Sequence, residues 1–345
     1  MPPVTIYQIA ADLGVSRQTV SAILRGKEHL YRRETCERVR AAAERLGYRP
    51  NAHARSMRTG RFGAAGLLMS SSPSRSRMPQ PLLDAICETL AEHELHLIVG
   101  KLPDERLTQT GAVPKILREW SVDGLLVNYD EQVPPGMVAR IQEEIAPTVW
   151  LNARLEHNCV RPDNVHGGAL AARHLLELGH RRIGYLDFIQ GWDDLDEAHF
   201  SVGDRQLGYE QAMREAGFQP QVIRAPRHVD TADRAAFARE QLSGDERVTA
   251  VVVSGGAQFV IHAATTLGLS VPDDLSVVAI GDQPVAAGIG WVDIALVPLT
   301  RLGRAGVEAM LERIAQPEAA MPAQTVPFKL DHRGTTTAPP PVAKP

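Results

Sequence analysis

Cysteine is nearly absent from this 345-residue chain: Cys36, Cys87 and Cys159 stand far apart. Three thiols at no metal-ligand spacing support neither a disulfide framework nor a zinc module, and they point to a reducing compartment. No apolar run reaches the roughly 18 residues that span a bilayer. Polar Thr5, Gln8 and Asp12 occupy the place where a signal peptide would carry its apolar core. The expectation is a cytoplasmic protein with no membrane partner. Signatures of catalysis are missing as well. Ser254, Gly255 and Gly256 follow an apolar run but lack the Gly-Lys-Ser/Thr of a phosphate loop, and no G-x-G-x-x-G or G-x-S-x-G occurs in place. The 12 histidines show no HExxH spacing, and the pairs Asp193–Asp194 and Asp273–Asp274 read as solvated turns. An enzyme is disfavoured; no cofactor and no metal are expected.

Net charge is also small, −4 overall, but its distribution is uneven. Residues 1–62 hold 12 basic and 5 acidic side chains, net +7, and the remainder is −11. Such a split assigns the head to a polyanion and keeps the body soluble.

The head reads as three short helices. Ile6, Ile9, Ala10 and Leu13 recur at helical spacing after Thr5, and Val39, Ala42, Ala43 and Leu46 repeat that pattern after Thr35, both threonines being N-cap candidates. Between them Gly14 ends one helix and Ser16 opens another, whose buried stripe is Val20, Ile23 and Leu24. Its other face carries Arg17, Gln18, Ser21, Ala22 and Arg25. A helix fits the DNA major groove with its first residues at base edges. There Arg17 can pair with guanine O6 and N7, and Gln18 with adenine N6 and N7, while Ala22 can at most touch a thymine methyl. Thr5, Tyr7, Ser16, Thr19, Ser21 and Asn51 suit phosphate contacts or helix caps. Tyr48 is assigned to the core of the head. Residues 51–58 (NAHARSMR) are too short for a stable isolated helix and read as a linker ordered only when held.

From residue 64 the pattern changes. Apolar runs at 64–69, 95–99, 124–127, 148–151, 183–186, 250–253 and 276–280 suit buried parallel strands. Helical stretches separate them, marked by Leu82, Leu83, Ile86 and Leu90; Val113, Ile116 and Leu117; Ala169, Ala172, Leu175 and Leu176; and Leu207, Ala212 and Met213. Repeated βα units of this length favour an α/β body with two lobes and a cleft at the carboxyl ends of the strands. The expected division is 1–49 for the DNA-binding head, 50–62 for hinge and linker, 63–337 for the two-lobed body and 338–345 for a disordered tail.

The segments VTIYQIAADLGVSRQTVSAILRG (4–26), LGYRPNAHARSMRTGR (46–61) and GGALAARHLLELGHRRIGYL (167–186) resemble the lactose repressor (LacI/GalR) family, as do GDRQLGYEQAM (203–213) and VPDDLSVVAIGD (271–282). The likeness covers nearly the whole chain. It implies an N-terminal helix-turn-helix, a hinge helix, and a two-lobed core like periplasmic sugar-binding proteins, acting as a homodimer or tetramer on a palindromic operator. It places Arg17, Gln18 and Ala22 at base-reading positions. It also sets Met57 where the family carries a leucine wedge for the minor groove, and Ala54 where paired hinge helices approach. In the body the family's effector arginine falls on Arg205. His166 stands where some members have a ligand-binding acid. Asp282 lies one residue beyond the family's aspartate, whose place Gly281 takes, and Ser254–Gly256 replace an Asn-Asp pair. Trp150, Asn152, Trp192 and Trp291 offer stacking faces or a donor to a cleft ligand, and Ser72 lies by its mouth.

The reading is a transcriptional repressor controlled by a small molecule, a sugar or sugar derivative first and a nucleobase or nucleoside second. Two other classes compete. A transport solute-binding module fits the body but not the basic head, and an enzyme carrying a DNA-binding head would need turnover of a cleft ligand.

Overall fold

The computed structural model describes residues 4–49, 60–72, 75–102, 122–129, 133, 136–144, 147–188, 199–223, 229–244, 247–286 and 290–341. The chain forms two units, Met1–Gly63 and Ala64–Pro345.

In the first unit, α1 (Ile6–Leu13) starts at Thr5, whose backbone N–H donates to the Gln8 side chain at 2.8 Å. Gly14, in the left-handed region at φ 68, ends it and turns the chain into α2 (Arg17–Ile23). Ser16 caps α2, accepting from the Thr19 N–H at 3.0 Å. A 3-10 turn, Glu28–Leu30, leads to α3 (Arg33–Leu46), whose N-cap position is Arg32 and not the expected Thr35. The Arg33–Glu37 pair at 2.7 Å suits the earlier turn, and no side chain caps it. Ile9, Val20, Ile23, Cys36 and Val39 form the core, with Leu13, Leu24, Leu46 and Tyr48 packed around it. All three expected apolar stripes therefore lie in this core, and Tyr48 packs against it as assigned.

In the second unit, one sheet runs β11-β5-β4-β3-β1-β2 and the other β12-β10-β9-β8-β6-β7. The first comprises β1 (Ala64–Ser70), β2 (His96–Leu102), β3 (Gly124–Asn128), β4 (Thr148–Leu151), β5 (Cys159–Pro162) and β11 (Gln324–Val326). The second comprises β6 (Ile183–Asp187), β7 (Gln221–Ile223), β8 (Ala250–Ser254), β9 (Ser276–Gly281), β10 (Asp293–Leu296) and β12 (Lys329–Asp331). Among the named strands, all described pairings are parallel except β10 with β12. β1, β3, β4, β6 and β8 are buried along their whole lengths, the signature of strands covered on both faces.

The helices are α4 (Gln80–Glu92), α5 (Met137–Glu144), α6 (Asn164–Glu177), α7 (Phe200–Glu215), α8 (Arg234–Gln241), α9 (Ala257–Thr266) and α10 (Leu299–Ala315). Since β5 and β11 belong to one sheet while β6, β10 and β12 belong to the other, the chain crosses between lobes after β5, after β10 and between β11 and β12. The expected strands are present, each within a few residues of its apolar run; β5, β7, β10, β11 and β12 span three or four residues, too few to show a period. The expected helix around Val113 lies outside the described residues.

Beyond β12 the chain is laced to the second lobe. The Thr335 hydroxyl donates to the Val277 carbonyl at 2.7 Å and His180 bonds Thr249, Ser276 and the Thr337 carbonyl. Pro339, inside the segment expected to be disordered, still packs beside Gly179.

Candidate functional site

In the first unit, the N-terminus of α2 carries the exposed side chains Arg17 and Gln18. Because Val20 and Ile23 are fully buried, the helix has one fixed face and these two are held on the other. Tyr7, 60% exposed on α1, lies beneath Arg17, whose guanidinium carbon is 4.5 Å from the ring centroid. This cation–π contact restrains a long side chain without using its donors. Thr5 and Ser16 are caps, as read, and Thr19 Oγ1 meets Ser16 Oγ at 2.9 Å. Ser21 and Ala22 are half-buried, the Ser21 carbonyl accepting from Arg25 Nε at 2.9 Å. Asn51, Ala54 and Met57 lie outside the described residues.

In the second unit a cavity of about 220 Å³ opens between the lobes. The first lobe lends Arg77, Asn128 and Asn152; the second lends His199, Ser201, Arg205, Gly255, Gly281 and Asp282, with Leu82, Ile280 and Leu299 among the apolar walls. Of the described residues that line it, none is Phe, Tyr or Trp.

Arg205 is placed by a close helix crossing. A Cβ on Gly168 of α6 would lie 1.8 Å from the Arg205 carbonyl oxygen, and one on Gly208 of α7 would lie 1.9 Å from the Val165 carbonyl. Only glycine permits that approach. Arg205 Nε then donates to Asn164 Oδ1 at 3.1 Å, and Asn164 Nδ2 donates to the Pro162 carbonyl at 3.2 Å. Among the described residues no other acceptor bonds the guanidinium, which leaves its terminal nitrogens for a ligand. Burial pushes its pKa down, while Tyr185, Asp187 and Asp282 oppose that shift. The group stays charged, since arginine is protonated at any physiological pH.

His199 caps α7, its Nδ1 accepting from the Ser201 N–H at 3.3 Å and facing Ser201 Oγ at 2.8 Å. Its Nε2 lies 3.2 Å from the Asn152 carbonyl of the other lobe. Burial pushes this imidazole down to about 4, so it is neutral, and the bonding pattern assigns the proton to Nε2. Beside it Arg154 of the first lobe pairs with Asp204 and lies over the Phe200 ring at 5.0 Å.

Asn128 is fully buried; its Nδ2 donates to the Arg77 carbonyl at 2.8 Å, and its Oδ1 has no partner. A buried acceptor left unmatched on a cavity wall is suited to a ligand donor. Tyr185 Oη, from the middle of β6, and Ser254 Oγ, at the end of β8, are buried with no hydrogen bond of good geometry, and burial pushes the phenol far up.

Asn152, Arg205 and Asp282 thus meet at the cavity, with Gly281 beside Asp282. Trp150 does not join them: it is fully buried against Tyr129, 6.3 Å between ring centroids, because inward-facing positions of β4 fill the core. His166 sits in the first turn of α6 with its N–H on Asp163 Oδ1 at 3.0 Å, away from the lining. Ser72 turns back to Ser70 Oγ at 3.0 Å and is also outside the lining. Trp291 is 50% exposed, and Trp192 lies outside the described residues. Sequence reading missed Arg77, Asn128, His199 and Ser201. Asn128 had a signal, the first polar residue after an apolar run, at the carboxyl end of a strand. Arg77 and His199 lie in connections without periodicity and had none.

The profile described as "Bacterial regulatory proteins, lacI family" matches residues 5–51, and "Periplasmic binding protein-like domain" matches 172–336. The HTH-type transcriptional repressor PurR of Klebsiella pneumoniae is 30% identical over 324 residues, 90% of each chain. A lac repressor dimer bound to operator and the anti-inducer ONPF superposes with a TM-score of 0.72 at 24% identity, covering 97% of this chain and all of that one. A CelR–cellobiose complex superposes at 0.60 and 22% identity, covering 96% and 99%. With the helix-turn-helix, the two-lobed core and full-length similarity to a repressor in agreement, the chain belongs to the lacI family of DNA-binding bacterial transcriptional repressors.

Proposed function

We propose that this repressor binds a palindromic operator as a homodimer and that a sugar or sugar derivative in the inter-lobe cavity controls the binding. Arg17 and Gln18 read base edges in the major groove, Ala22 meets a thymine methyl, and Thr5, Tyr7, Ser16, Thr19, Ser21 and Asn51 position the head on phosphates. Met57 wedges the minor groove at the centre of the site, with Ala54 allowing two hinge segments to approach.

One observation carries the effector assignment. The cavity offers a guanidinium, amides, a hydroxyl and a carboxylate, and its described lining has no aromatic ring of Phe, Tyr or Trp for stacking a flat base. That set matches a hydroxylated ligand, with Arg205 and Asn152 donating, Asp282 and Asn128 Oδ1 accepting. A ligand clasped by both lobes favours one lobe arrangement. By linkage, an effector that weakens operator binding is itself bound less tightly by the operator complex.

Gel shift on a palindromic site from the protein's own promoter region, with and without monosaccharides and nucleosides, tests both halves. Retarded DNA whose mobility responds to a sugar supports the proposal. A response to nucleosides only overturns the effector class, and no retardation overturns the operator assignment.

A further inference from the structure

Away from the cleft, three segments of the second lobe converge on one point. His174 of α6, Asp293 at the start of β10 and His332 just after β12 each bring a ligand-capable atom to within 4.8 Å of the other two. Asp293 is buried, and its charge is fixed in place: Oδ1 accepts from the backbone N–H groups of Arg333, Gly334 and Thr335, the Gly334 bond being 2.7 Å. Oδ2 accepts from the Thr336 hydroxyl at 2.5 Å, and the hydroxyl oxygen of Thr336 in turn lies 2.9 Å from His174 Nε2. His332 is exposed, packs its ring 4.8 Å from that of His174, and makes no hydrogen bond among the described residues.

This is the donor set of a borderline divalent ion. Two imidazoles and a carboxylate, from three distant segments, are ligands that zinc takes at about 2.0 to 2.2 Å, leaving a fourth tetrahedral position for water. Ligand atoms of such a site lie about 3.4 Å apart, so closing it takes a swing of the exposed, unbonded His332 and the exchange of the His174 Nε2–Thr336 Oγ1 hydrogen bond for the metal. We propose that His174, Asp293 and His332 bind Zn²⁺, pinning residues 332–336 to α6 and β10. Asn164, which holds Arg205, begins the same α6 that His174 nearly ends, so the ion would brace the helix on which the effector arginine depends.

Full-length protein, stripped with EDTA and passed into chelator-free buffer at pH 7.5, is titrated with ZnCl₂, with MgCl₂ as control. The readouts are calorimetry and thermal melting. One zinc per chain, a raised melting midpoint and no response to magnesium are expected. His332→Ala keeps every hydrogen bond of the cluster and so folds; it should weaken zinc at least tenfold. Cobalt substitution supplies an independent readout, a visible absorption band of tetrahedral Co²⁺ present in the wild type and lost in His332→Ala. No zinc-dependent shift in the wild type, or an equal shift in His332→Ala, overturns the site, leaving a hydrogen-bonded turn around Asp293.

Discussion

His199 Nε2 and the Asn152 main-chain carbonyl meet at 3.2 Å across the cavity, joining the lobe of β6–β10 to the lobe of β1–β5. Asn152 reaches that position with φ 56, in the left-handed region that asparagine tolerates better than most residues. Nε2–H can donate across the cavity in either protonation state, but Nδ1 accepts from the Ser201 N–H only in the neutral ring, and burial disfavours the charged one. The cap on α7 is therefore sensitive to acid.

The unfolded chain protonates a histidine near pH 6.5, whereas His199 in the fold resists until about 4. Between those values the unfolded state binds more protons, so stability falls as pH falls, by up to about 3 kcal/mol at pH 4. Urea unfolding of the wild type and His199→Gln, from pH 7.5 to 4.5, should show a steeper decline for the wild type. Parallel curves would refute the assignment.

Arg17→Ala should cost about 1 to 3 kcal/mol on the cognate operator and relax specificity. Tyr7→Ala, which removes the face beneath the guanidinium, should cost about 0.5 to 1 kcal/mol. Fluorescence anisotropy at fixed salt on cognate and scrambled duplexes measures both. Equal losses for Arg17→Ala on the two duplexes would mean it touches phosphate only. The wild-type log-log salt slope should be about −0.9 per phosphate neutralised.

Gly168→Ala places a methyl 1.8 Å from the Arg205 carbonyl oxygen, so α6 and α7 must part. Overpacking of this kind costs about 1 to 3 kcal/mol. A lower denaturation midpoint with a blunted effector response is expected. Unchanged values of both would show the crossing to be looser than described.

Arg205→Lys keeps the charge but loses the planar donor fork and the fixed bond to Asn164. The expected outcome is operator affinity within about twofold of wild type and effector affinity reduced at least tenfold, roughly 1.4 kcal/mol or more. Operator gel shift and effector calorimetry on the same preparation separate the two.

The head was readable in order because its information is local. Caps at Thr5 and Ser16, the left-handed turn at Gly14 and the stripes through Ile9, Val20 and Val39 are written in short spacings, and the +7 charge of residues 1–62 marks that region for a polyanion. Only Thr35 misled there, since a good capping residue two positions inside a helix leaves the same trace as one at its start. The long strands of the body were equally plain, and so was Arg205 through its resemblance.

What surrounds Arg205 was decided by tertiary structure. Gly168 and Gly208 were visible, but that they touch the opposite helix backbone depends on how α6 crosses α7. Trp150 and Asn152 are two residues apart, and one fills the core while the other lines the cavity. His199 and Asn152 become neighbours only after the chain has crossed from one sheet to the other, and His332 joins His174 and Asp293 only after it has crossed back and returned. Periodicity records which face a side chain takes within its own element; it holds no distance between elements, and a cleft is made of such distances.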